Sequence, residues 1–274
     1  MGGLQKILVS LALAGMSASA SAFSVFPIDV AHSLKWGDNT NGTPGGIVTW
    51  SFMPVGIHGS GYCGDACPGD SLASLNIEIG PGMGYSSIPL TSLESYITAA
   101  FDKWSAVANI TFIKVSDSGV PVNDSTALPP ATGDIRIGVF VFASGGGAVG
   151  FAPPPNGGTG AGDIIFDANS FYAFQPGNDG DAFPVASTAP NDFESLLLHE
   201  MGHALGLAHP AFNGTCAVMN VDASCLFKIN RELDADDIAG AQFLYGAPVP
   251  EPETWAMLLA GLGLVSWRLR NIRV

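Results

Sequence analysis

Residues 199–209 read HEMGHALGLAH. His199 and His203 stand four positions apart, so on a helix both imidazoles leave one face and converge on one point. Gly206 permits a sharp reversal, which brings His209 back as a third nitrogen. Three neutral imidazoles leave one corner of a tetrahedron open, and an open corner separates a catalytic zinc from a structural one. Glu200, next to the first ligand, is placed to take a proton from a water that zinc acidifies. The string implies a helix, a turn and one Zn²⁺ held by His199, His203 and His209, with Glu200 as general base in a hydrolysis.

Working outward, the helix is expected to start near Asn191, with Glu194 completing a capping box, and to run through Leu205. An earlier helix is expected after the Thr91/Glu94 pair, because Leu93, Ile97, Phe101, Trp104 and Ala108 recur at helical spacing. GIVTWSFM (46–53), Ile110–Val115, Asp134–Phe142 and Asp163–Phe166 read as strands. The Gly-, Ser- and Pro-rich stretch from Gly56 to about Pro89 is too long for an ordinary connection and reads as an insertion. No repeat divides the body, so one domain is expected over 23–247.

The two ends differ from that body. Lys6, an apolar run from Ile7 to Met16, and small residues ending in Ala18-Ser19-Ala20 or Ala20-Ser21-Ala22, two possible cleavage sites, give residues 1–22 the form of a secretory signal peptide. Export makes disulfides the natural state of the four cysteines, and two local bridges, Cys63–Cys67 and Cys216–Cys225, are the simplest of three pairings. Residues 248–274 hold three prolines, an apolar run from Trp255 to Trp267 and three arginines. The run is short of the roughly 20 residues that span a bilayer. VPEPETWAMLLAGLGLVSWRLR resembles the PEP-CTERM sorting signal of Gram-negative bacteria. That resemblance implies an exported protein, secreted or held in the extracellular matrix, anchored transiently at the inner membrane and processed by an exosortase-type enzyme; a simple C-terminal anchor is the alternative.

Outside the two ends, six basic residues face 22 acidic ones. So acidic a body repels phosphate backbones, which argues against nucleic acid as a partner.

HEMGHALGLAH resembles the extended zinc motif of the metzincin peptidases. Met219, within CAVMN, matches their Met-turn, which implies a methionine beneath the metal. GIVTWSFM, DIRIGVF, GDIIFD and LDADDIAGAQFLYG are similar to segments of the matrixin branch. The fold that this implies is α+β: a twisted five-stranded mixed sheet with two long helices, then a small C-terminal subdomain holding the Met-turn and a third helix. A second, structural zinc of that branch would need histidines where Val149 and Ile165 stand, so one zinc is expected. Asp163 and Asp167 align with calcium-associated acids, while Ala168 and Ser170 thin the ligand set, and calcium stays open. The resemblance also implies a propeptide, yet the domain starts almost directly after the expected signal. Cys63 in GYCGDACPGD could serve as a blocking thiolate or pair with Cys67. A bridge between Cys216 and Cys225 would staple the Met-turn loop, which in the family shapes the pocket for the residue after the cut.

The function so implied is that of an exported zinc metalloendopeptidase acting on protein or peptide substrates that pair with an edge strand near Gly147 to Phe151. Its rivals are a catalytically silent surface or biofilm matrix protein on the same scaffold, and a zinc hydrolase of another substrate.

Overall fold

Alternation in GIVTWSF places Val48 and Trp50 inside, each at most 3% exposed, and makes these residues the second strand of the chain. A computed structural model describes residues 23–59, 68–122, 132–143, 146–156, 158–249, 259–262 and 268. Cys63 and Cys67, the signal and most of the C-terminal tail lie outside these described residues.

In chain order the strands and helices are β1 (Ser24–Val25), β2 (Gly46–Phe52), β3 (Asn76–Glu78), β4 (Tyr85–Ser86), α1 (Leu90–Val107), β5 (Ile110–Lys114), β6 (Ile135–Phe140), β7 (Ala148–Gly150), β8 (Ile164–Asp167), β9 (Phe171–Ala173), β10 (Asn191–Asp192), α2 (Phe193–Ala204), β11 (Leu207–Ala208) and α3 (Ala235–Tyr245). The main sheet has the order β5-β2-β6-β8-β7. Its first four strands are parallel, and β7 closes one edge antiparallel to β8, with Val149 opposite Ile165. This is the mixed five-stranded sheet of an α+β domain, as the sequence implies. All six residues of β6 are buried, which is what a strand covered on both faces requires.

The apolar stripe of α1 is Leu93, Ile97, Phe101 and Trp104, none more than 2% exposed. Each such side chain stabilises the fold by roughly 1.5–3 kcal/mol through burial. Trp104 also donates its indole N–H to the Leu198 carbonyl at 3.2 Å, which fixes α1 against the helix of the histidines. The far end of α2 is tied in the same way: Trp36 Nε1 donates to the Ala204 carbonyl at 2.8 Å and the Tyr245 hydroxyl to the Leu205 carbonyl at 2.6 Å. Carbonyls of a last helical turn have no partner in their own helix, and these two aromatics supply donors at that end.

Two local expectations are corrected. The cap of α2 is Asp192, whose Oδ2 accepts from Ser195 N–H at 3.1 Å; Asn191 lies in the bridge before it and donates instead to the Phe171 carbonyl. Asp192 prevails because Arg231 holds its carboxylate in place through Nε and Nη2 at 2.9 and 2.5 Å. Helix α1 begins one residue before Thr91, with Pro89 at the cap and no side-chain cap bond. Glu94, expected in a capping box, pairs with Lys114 of β5 at 2.5 Å. Within the stretch 56–89 the described residues hold a 3₁₀ turn (Leu72–Ser74) and strands β3 and β4. These join β9 and β10 in a second sheet of order β10-β9-β3-β4, which leads directly into α2.

Candidate metal centre

Helical geometry does for His199 and His203 what the spacing requires, and Gly206 does the rest. Its φ of +102° turns the chain after α2. The short β11 that follows pairs with β1, Leu207 against Val25 and Ala208 against Ser24, and delivers His209 to the other two. His209 Nε2 approaches His199 Nε2 at 3.0 Å and His203 Nε2 at 2.9 Å. Among the described residues this is the one group of three or more His, Cys, Asp or Glu side chains that could hold a metal.

The donor set fits a zinc ion. Nitrogens bonded at 2.0–2.1 Å at tetrahedral corners would stand about 3.3 Å apart, a few tenths of an ångström from the separations observed. His199 Nδ1 donates to the Val218 carbonyl at 2.7 Å and His203 Nδ1 to the Leu207 carbonyl at 2.8 Å. Each bond puts the ring proton on Nδ1 and turns a bare Nε2 toward the shared point, the arrangement a ligand imidazole needs. Burial pulls His199 down to about 3 and His203 down to about 4, and lowers His209 as well, so all three rings are neutral donors.

Glu200 is 5% exposed, and its Oε2 accepts the Gly150 N–H at 2.6 Å. Burial pushes its carboxyl up to about 7, against the opposing pull of that hydrogen bond. Gly150 belongs to the edge strand β7, and a Cβ there would stand 2.2 Å from the Glu200 carbonyl oxygen. Only a glycine lets the sheet edge and α2 come this close. Histidines, Glu200 and β7 open together on a cavity of about 610 Å³.

Met219 is 3% exposed and packs on Gly202, where an added Cβ would fall 2.2 Å from its sulfur. Below it lies a residue that the sequence reading passed over. Asp237, buried in the first turn of α3, accepts Val218 N–H at 2.9 Å and Met219 N–H at 3.0 Å. The Val218 carbonyl in turn orients His199, so one carboxylate fixes both the methionine turn and a ligand ring. Asp234 and Asp237 form a capping box in the sequence, and that spacing was the available signal. Asp237→Ala should weaken zinc affinity about 10- to 100-fold, the usual cost of losing a support behind a metal ligand. Competition against a chelating dye would measure it; an unchanged affinity would show that the loop holds His199 unaided.

The remaining expected residues are apart from this centre. Asp163 is fully buried, with Oδ1 accepting Arg136 N–H at 2.9 Å, and burial raises its carboxyl well above the usual range. Asp167 Oδ1 accepts from Phe142 N–H at 3.0 Å and Asn169 N–H at 3.1 Å. Both are engaged by backbone. Cys216 and Cys225 form a disulfide beside the cavity. His32 pairs with Asp29 at 2.8 Å.

A helix-borne histidine pair, a third histidine past a glycine turn and a buried carboxylate beside a sheet edge define the class of metallopeptidase-like domains. The chain belongs to the matrixin family, whose model matches residues 83–246. It is 31% identical over 170 residues to metalloendoproteinase 2-MMP of Arabidopsis thaliana, covering 58% of this chain and 39% of that protein. It is 32% identical over 170 residues to human matrix metalloproteinase-16, covering 57% and 24%. With karilysin of Tannerella forsythia it shares 29% over 177 residues, covering 60% and 30%. The match thus spans between about a quarter and two fifths of these relatives' length. Residues 248–273 match the PEP-CTERM protein-sorting motif, which implies export in Gram-negative bacteria. No helix among the described residues is long and apolar enough to cross a membrane.

Proposed function

We propose that the protein is an exported zinc-dependent endopeptidase, with His199, His203 and His209 as the ligands and Glu200 as the general base. The observation that carries this reading is the convergence of three imidazole Nε2 atoms beside a buried carboxylate, at a cavity that the sheet edge β7 borders. When bound, a zinc ion supplies Lewis acidity, which acidifies a water and polarises a carbonyl. The chain's own groups do the rest. β7 is the last strand of its sheet, so its outer edge can pair with an extended peptide and lay it across the histidines. Glu200 Oε1, the carboxylate oxygen not given to Gly150, takes the proton of the attacking water and passes it to the departing amine. The low-dielectric surroundings that raise this carboxyl suit it to both halves of that transfer.

The peptide-cleaving reading is favoured over a silent scaffold because Glu200 is intact and held in place, and a site that only bound metal would not need it. We further read residues 1–22 as a removable signal, 23–247 as the catalytic domain, the segment after His209 as its small C-terminal subdomain, and 248–274 as a tail processed by an exosortase-type enzyme after transient membrane anchoring. Calcium at Asp163 and Asp167 is left as an expectation of the family likeness.

Casein or gelatin incubated with the purified protein should be degraded, and 1,10-phenanthroline should abolish the activity until zinc is restored. Degradation that survives removal of all bound metal would overturn the proposal, as would a zinc-loaded protein that cuts neither substrate.

A further inference from the structure

Beyond the histidines the cleft continues, and its far wall is made by two segments outside the metal-binding string. Residues 180–183 run against 227–229: Gly180 N–H donates to the Ile229 carbonyl at 2.7 Å, Ile229 N–H to the Asp181 carbonyl at 2.9 Å, and Phe183 N–H to the Phe227 carbonyl at 2.8 Å. Ala182 stands opposite Lys228 in this short antiparallel ladder. Phe183 and Phe227 meet edge to face at 6.1 Å. The Cys216–Cys225 disulfide holds the loop from its other side. Further along, Glu78 accepts Ser187 Oγ–H at 2.6 Å and Gly82 N–H at 2.7 Å, which fastens the first segment to β3. The wall is therefore braced by paired backbone, a covalent bond and a buried carboxylate, and its side chains have fixed places.

Among the residues lining the cavity, Lys228 is the single lysine or arginine, set with apolar neighbours that include Phe183, Leu226 and Phe227. Its Nζ lies 3.8 Å from Cys216 Sγ, and among the described residues no carboxylate pairs with it. Three acids of the surrounding segments hold other donors. Asp192 grips Arg231 with both oxygens. Asp181 Oδ2 accepts Asn178 N–H at 2.8 Å, and Asp222 Oδ1 accepts Ser224 N–H at 2.9 Å and its hydroxyl at 2.7 Å. Of the other lysines, Lys103 and Lys114 pair with Glu232 and Glu94, and Lys35 donates to the Trp36 and Asp38 carbonyls and the Thr43 hydroxyl. Lys228 is half-buried beside the exposed Leu226 and Phe227, which leaves its ammonium within reach of an incoming carboxylate.

We propose that Lys228 selects a carboxylate on the substrate residue beside the cut, so that the cleft prefers glutamate there over glutamine. This rests on the endopeptidase reading above and adds the substrate class. The chain's negative charge repels acidic peptides at a distance, but beyond about 8 Å such charges are screened at physiological salt. At contact, the charge-assisted hydrogen bond from Lys228 dominates.

The test uses peptides that differ only in Glu or Gln at each of the two positions flanking the cut, cleaved in competition by the zinc-loaded protein. At one position kcat/KM should favour Glu by about tenfold or more, the worth of one charge-assisted hydrogen bond. In Lys228→Met that ratio should fall to near one, and in Lys228→Glu it should invert. Equal Glu:Gln ratios in the wild type and Lys228→Met, with the peptides cut, would overturn this proposal and leave the endopeptidase reading standing. If no peptide is cut at all, both fall together.

Discussion

Glu200→Gln is expected to lower kcat/KM on a protein substrate by about 10²–10⁴, the range that a positioned general base contributes. The exchange keeps the shape of the side chain and an oxygen that can still accept the Gly150 N–H, now made at 2.6 Å. It removes only the capacity to carry a proton. None of the three imidazoles is hydrogen-bonded to Glu200; His199 and His203 are supported by the Val218 and Leu207 carbonyls. Zinc content should therefore stay at one per molecule while turnover collapses. Metal analysis and a gelatin assay on the same preparation check both halves. Undiminished cleavage would remove Glu200 from the mechanism, and loss of zinc together with activity would make it a structural residue instead.

This separation between ligand geometry and proton transfer was legible in HEMGHALGLAH because both depend on local spacing. A helix fixes the offsets of His199, Glu200 and His203, and a glycine after it makes the return of His209 credible. The sheet strands were legible for a similar reason, since β2 and β6 each carry their burial in their own residues. What could not be read was everything that depends on a partner distant in the chain. The cap of α2 passed from Asn191 to Asp192 because Arg231, 39 residues on, holds the aspartate. Glu94 left its expected box for Lys114 on the neighbouring strand. The strands after Gly56 could not be read because β3 has only three residues, and its two neighbours, β4 and β9, are as short or come from far along the chain. Asp237 went unnoticed for the opposite reason: its local signal was present, but its importance lies in the Val218–Met219 backbone it binds.

The sharpest dependence of the centre on a single backbone position is at Gly206. A Cβ there would stand 2.1 Å from the Leu34 carbonyl oxygen, and φ is +102°. The obstacle is backbone, with no flexible side-chain end to swing aside. Neither flank can yield cheaply, because Trp36 and Tyr245 bind the last carbonyls of α2 and the Gly206 carbonyl itself accepts Phe26 N–H at 3.1 Å. The strand that must move is β11, which carries the Leu207 carbonyl under His203 and leads into His209. Gly206→Ala should thus cost about 3 kcal/mol or more of stability, combining left-handed strain with a forced displacement. It should also lower zinc affinity, since two of the three rings lose their positions. Gly214→Ala provides the comparison: φ is +98° and no atom lies within 4 Å of the added Cβ. That variant carries the strain alone, about 1 kcal/mol. Denaturant unfolding of the two should therefore separate conformational strain from close approach. Equal losses would mean that the turn, and not the contact with Leu34, is what the glycine provides.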